Sequence, residues 1–173
     1  MRDFYFKKIS FKLIMFQINH VQNSHSLDTY NFVLTKFNEI RSIDIFTNFN
    51  QIQGQDLVTI SNISFDCLDK LSNISGFIER KLNDSNLNET VLGQLNKLDN
   101  LNNLLHEQIY LFNHIYHDTT LLVKDITNQS HSQEVINYIN FDLITKYKQI
   151  IYKIFSIIKK INIYVELLKP KLN

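Results

Sequence analysis

The chain has no alanine and no tryptophan, one cysteine, one proline and three glycines in 173 residues. With a single cysteine, Cys67, neither an intrachain disulfide nor a cysteine-built zinc site can form. The glycines stand at 54, 76 and 93, too dispersed for a glycine-rich phosphate loop. Charge of either sign is also lacking in excess. Eighteen basic residues against seventeen acidic ones leave a net charge of +1, so nothing global draws the chain to nucleic acid or to an anionic membrane.

What is abundant is asparagine and isoleucine, each above twenty copies, with 44% hydrophobic residues overall. Together with lysine, phenylalanine and tyrosine these are the products of A- and T-rich codons, so the asparagine content is read as compositional bias and not as disorder. The same bias accounts for five Asn-x-Ser/Thr triplets, at Asn62, Asn73, Asn83, Asn88 and Asn128. Cys67 lies at helical spacing with Ile63, Leu71 and Ile74, which predicts a buried thiol in a reducing, intracellular setting.

The opening MRDFYFKKISFKLIMFQI mixes lysines with bulky apolar residues. Lys7, Lys8 and Lys12 interrupt it, which disfavours both a secretory signal and a bilayer span. A membrane-surface anchor, a docking segment or a flexible terminus remain, and residues 1–55 are left unassigned in fold. Residues 56–169 are expected to be helical, with helices over about 57–83, 87–127 and 133–169.

The grounds for those helices are periodic. Ile60, Ile63, Cys67, Leu71, Ile74 and Ile78 recur at three or four residues after a candidate N-cap at Asp56. Asn83-Asp84-Ser85-Asn86 breaks the pattern, and Asn86 with Glu89 has capping-box spacing. The next stripe runs through Val91, Leu95, Leu98, Asn102, Leu105, Ile109 and Phe112 to Tyr116, Thr119, Val123 and Ile126 in alternating steps of four and three. A phase held at 3.5 residues for five heptads predicts a coiled-coil seam. Ser130 and Gln133 offer a cap for a last helix with Leu143, Tyr147, Ile150, Ile154, Ile157, Ile161, Tyr164 and Leu168 on one seam and Ile144, Ile151, Ile158 and Val165 beside it. That stripe is wide enough for two neighbours, and Pro170 ends it.

The fold class expected is therefore all-α: the helices could fold on one another as a short bundle, but the persistent heptads favour elongated helices that bury their stripes in a coiled coil with other chains. Leu95, Leu98, Asn102, Leu105, Ile109, Phe112, Ile150, Ile154, Ile157 and Ile161 are the expected partner seam. Asn102 is the one polar member. Its replacement by leucine is expected to raise stability and loosen register. No catalytic, cofactor or metal site is expected. His106, His114, His117 and Asp118 are the one candidate metal set, and solvated helix-surface histidines explain them better. The basic end, with Lys159, Lys160, Lys169 and Lys171, suits a helix C-terminus.

The segment FIERKLNDSNLNETVLGQLNKLDNLNNLLHEQI, Phe77 to Ile109, resembles the central region of the subunit 2 family of the biogenesis of lysosome-related organelles complex-1. A short helix there passes through a polar turn into a leucine-spaced helix with an Asn-Lys-Leu triplet, here Asn96-Lys97-Leu98, and a further leucine at 101. KQIIYKIFSIIKKI, Lys148 to Ile161, is similar to the family's C-terminal helix in Gln149, Tyr152-Lys153 and Lys159-Lys160. The chain departs from that pattern in carrying isoleucines where the family's last helix is expected to have alanines, and residues 1–56 match nothing in it.

The resemblance implies a rod-like, non-catalytic subunit of a hetero-oligomeric coiled coil, which buries its stripe against other small coiled-coil subunits. It further implies a role in lysosome-related organelle biogenesis, endosomal sorting and lysosome positioning. Such a subunit would be cytoplasmic and peripherally associated with endosomes or lysosomes through its complex, without contacting nucleic acid. A small helical subunit of a kinetochore or microtubule-associated complex is the alternative.

Overall fold

A computed structural model describes residues 28–42, 54–128 and 133–172, and every described element is helical. Helix α1 covers residues 28–42, α2 Gly54–Leu82, α3 Glu89–Asn128 and α4 Gln133–Leu168. The three long helices start and stop within a turn of the bounds read from periodicity. At about 1.5 Å per residue α3 is about 60 Å long.

The ends differ in detail from expectation. Helix α2 begins at Gly54, so Asp56 sits in its first turn and not at its cap. In the turn between α2 and α3 the Asp84 carboxylate accepts from the Asn86 amide at 3.0 Å, an Asx turn. The cap of α3 is Asn88, whose Oδ1 accepts from the Val91 N–H at 3.0 Å, the N3 donor of the new helix. Asn86 is spent on the turn, which leaves the helix to start two residues later than the capping-box spacing proposed. At the other end the Leu168 carbonyl accepts from both the Lys171 and Leu172 amides, closing the chain beyond Pro170. The candidate cap at Ser130 lies outside the described residues, as do the side chains of Tyr116, Thr119, Val123 and Ile126.

Packing is antiparallel from one long helix to the next. The tight turn at 83–88 folds α3 back on α2, and α4 returns along α3, where Lys171 donates to Gln94 at 3.0 Å near one end. Further along the same pair, Phe112 meets Tyr147 edge-on with ring centroids 5.3 Å apart. Helix α1, in the third that sequence reading left unassigned, adds the fourth wall. Tyr30, Val33, Phe37 and Ile40 are fully buried, a four-residue a/d stripe of its own. Tyr30 reaches Asn102 and Phe37 packs edge-on against Phe112 at 5.5 Å, so α1 runs parallel to α3. Lys70 of α2 lies over the Phe32 ring at 4.8 Å. The result is an up-down-up-down four-helix bundle.

Among the described residues, buried apolar side chains from all four helices, with Leu172 just beyond α4, form one core cluster. Every expected seam residue is in its interior: Leu95, Leu98, Asn102, Leu105, Ile109, Phe112, Ile154 and Ile161 are fully buried, and Ile150 and Ile157 nearly so. Among the described residues the stripes are therefore closed in the manner of a bundle and not left open as on a rod. These stripes are covered by helices of the same chain, because the short 83–88 turn and the extra helix α1 bring enough apolar surface back to close them. The wide a, d and e stripe of α4 is buried through Ile151, Ile158 and Val165 as well, so its two neighbours are internal.

Asn102 is held by helices of its own chain. Its Oδ1 accepts from the Tyr30 hydroxyl at 3.1 Å, and its Nδ2 donates to Ser75 Oγ at 2.8 Å and to the Leu71 carbonyl at 3.4 Å. One amide therefore ties α3 to α1 and α2, and leucine at 102 would leave the buried Tyr30 hydroxyl without its acceptor. Asn102→Leu and Tyr30→Phe should each cost about 1–3 kcal/mol in urea unfolding. The double variant should cost less than the sum by about 1 kcal/mol. A stabilising Asn102→Leu, or strict additivity, would show that the buried bond contributes nothing.

Candidate partner-binding surface

With the a/d positions filled internally, surface available to a partner must come from the remaining rows. On α3 these rows alternate sharply. One face is asparagine-rich and exposed, with Asn96, Asn100 and Asn103. The row next to the core carries Lys97, Leu101, Leu104, Gln108 and Leu111, in which Leu104 and Leu111 are about 40% exposed. Leucines at that exposure on a bundle exterior are an apolar strip three turns long.

Helix α4 supplies the facing wall. Ile163 is 58% exposed and Leu167 44%, beside half-buried Tyr164. Between the two helices lies a groove of about 370 Å³ lined by Lys97, Asn100, Leu101, Lys160, Ile163 and Tyr164. Its floor is apolar and its rims are cationic. The Lys97 and Lys160 side chains are exposed, and among the described residues neither has an ion-pair partner. The nearest described ion pairs on α4 are Lys146 with Asp142 at 2.7 Å and Lys169 with Glu166 at 2.8 Å. Seam reading missed Ile163 and Leu104 because they fall outside a and d. The signal that finds them is the second leucine row, Leu101, Leu104 and Leu111, running beside the first.

The chemistry elsewhere is packing chemistry. Cys67 is fully buried in the core as its spacing suggested. Burial, helped by the neighbouring Asp66 carboxylate, pushes its thiol up to about 12. Burial likewise raises the Tyr30 phenol well above its ordinary value, with Asp99 adding to the effect. Ser64 is buried but satisfied by the Ile60 carbonyl at 2.9 Å. Gln108 is 7% exposed, and its Oε1 has no hydrogen-bond partner among the described residues, a cost borne by the α3 row.

No group of three or more histidine, cysteine, aspartate or glutamate side chains suited to a metal ion occurs among the described residues. His114 packs edge-on against Tyr110 at 4.5 Å, while the side chains of His117 and Asp118 are outside the described set. No helix among the described residues is long and apolar enough to cross a membrane.

The fold and surface define an all-α up-and-down bundle with one apolar, basic-rimmed groove on its outside. Compared with known protein families, curated proteins and solved structures, the chain matches none.

The two raised acids fix how stability depends on pH. Below about pH 7 both groups are neutral, folded or unfolded. Above it the unfolded chain ionises first, so stability is lost as pH rises through the ordinary thiol and phenol values toward about 12 for Cys67. The urea midpoint should therefore fall between pH 8 and pH 11, and less steeply in Cys67→Ala and in Tyr30→Phe. An identical slope in the wild type and both variants would contradict the assignment.

Proposed function

We propose that this chain is a non-catalytic subunit of a protein complex acting in lysosome-related organelle biogenesis, endosomal sorting and lysosome positioning. In this reading it is cytoplasmic and reaches endosomal or lysosomal membranes through its partners. The observation that carries the reading is a convergence. The two stretches that resemble the complex-1 subunit 2 family lie on different helices, yet Lys97 and Leu101 of the first and Lys160 of the second line the same groove.

The proposal keeps the complex and changes its interface. A partner that took the a/d seam would have to displace α1, α2 or α4; loss of α1 would strip Asn102 of its bond from Tyr30, and loss of α2 of its bonds to Ser75 and Leu71. Partners instead meet the outer face of α3 and α4, and the bundle serves as a preformed block. Its rigidity lowers the ordering cost of association.

Affinity purification of the full chain from its native cell should recover several other small helical proteins, with endosomal or lysosomal markers beside them. The same partners should be depleted by Lys97→Glu/Lys160→Glu. Recovery of kinetochore or spindle components in their place would overturn the trafficking assignment in favour of a microtubule-associated complex.

A further inference from the structure

The groove between α3 and α4 has a charge pattern specific enough to name the chemistry of what fills it. We infer that it docks an amphipathic helix of a partner protein, with an apolar stripe laid along the groove and carboxylates on both flanks of that stripe. The inference deepens the proposed function and takes from it only the idea that partners meet this outer face.

Shape is the first argument. Two long antiparallel helices leave a linear trough whose apolar lining is Leu101, Ile163 and Tyr164, and exposed apolar side chains continue on the same two helices beyond it: Leu104 and Leu111 on α3, Leu167 on α4. From Leu101 to Leu111 the strip is about 15 Å long at 1.5 Å per residue. That is the span of three helical turns, and a helix presents apolar residues at i, i+3, i+4 and i+7 to such a trough. Only Leu101, at one end of the strip, lines the 370 Å³ groove, so a compact small molecule there would leave Leu104 and Leu111 uncovered.

Charge is the second. Lys97 stands on one rim and Lys160 on the other, and Lys153 lies exposed seven residues before Lys160, two turns along the same row. No carboxylate lines the groove. An acidic helix meets complementary charge on both flanks, which fixes orientation and speeds encounter. A basic helix would be repelled. An anionic bilayer is a poorer fit, because the apolar groups lie in a concavity between cationic rims and the net charge of +1 gives little attraction to a surface.

The test uses the purified full chain and a fluorescein-labelled synthetic helix of about eighteen residues, with leucines at i, i+3, i+4 and i+7 flanked by glutamates. A second peptide carries lysine for every glutamate. Fluorescence anisotropy should show saturable binding of the glutamate peptide. Binding should weaken at least about tenfold in Lys97→Glu/Lys160→Glu and in Ile163→Glu, all exposed positions, with circular dichroism unchanged. The lysine peptide should bind the Lys97→Glu/Lys160→Glu variant in preference to the wild type.

Failure of the glutamate peptide to bind, equal binding of both peptides, or equal binding to wild type and variants would overturn the inference. So would flotation of the chain on phosphatidylserine vesicles without peptide binding, which would make the face a lipid-contacting one. Because the readout uses purified chain and peptide, it is independent of which proteins co-purify from cells. A failed trafficking assignment and a failed docking chemistry are therefore told apart.

Discussion

A single buried amide governs how this chain closes. Asn102 occupies a leucine position in the central helix, where an unpaired amide would carry a desolvation cost of about 1–3 kcal/mol. It escapes that cost because Tyr30 of α1 and Ser75 and Leu71 of α2 converge on it. A shift of α1 or α2 by one residue along α3 would carry the leucine stripe past its counterparts only slightly, but would break these bonds outright. The amide therefore sets the register that the non-directional apolar core leaves loose.

From that register the rest follows. With α1 and α2 fixed on one side of α3, Phe112 stands between Phe37 and Tyr147, and α4 completes the core along its wide a, d and e stripe. At the end of α4 Lys169 donates to Glu166 at 2.8 Å, and this bond strengthens its hold on its proton. With the described seams internal, apolar surface is left over on the outer rows, at Leu104, Leu111, Ile163 and Leu167 of α3 and α4 and at Val58 and Phe65 of α2.

How far the residues alone disclose this can be judged element by element. The three long helices were legible because their apolar residues recur without interruption and Asn83 to Asn86 mark a break. The groove was half legible: Lys97, Leu101 and Lys160 drew notice through family resemblance, while Leu104 and Ile163 sit off the heptad and did not. What the pattern could not reveal was whether its seams close within the chain or between chains, since a 3.5-residue repeat suits both a coiled coil and a four-helix bundle. The deciding element was α1. Tyr30, Val33, Phe37 and Ile40 make a stripe of only two heptads, too short to stand out beside the lysine- and phenylalanine-rich residues before it, yet it supplies the fourth wall. Asn102 carried the same ambiguity, since a polar a-position residue sets register equally well against a helix of its own chain.

The claim on which all of this stands is that the heptad stripes are satisfied within one chain. Sedimentation equilibrium of the purified chain, with urea unfolding followed by circular dichroism across a hundredfold range of concentration, addresses it most directly. The account predicts a helical single chain whose unfolding midpoint does not move with concentration. Helix that forms only in an oligomer, or a midpoint that climbs as concentration rises, would contradict it and return the seams to partner chains.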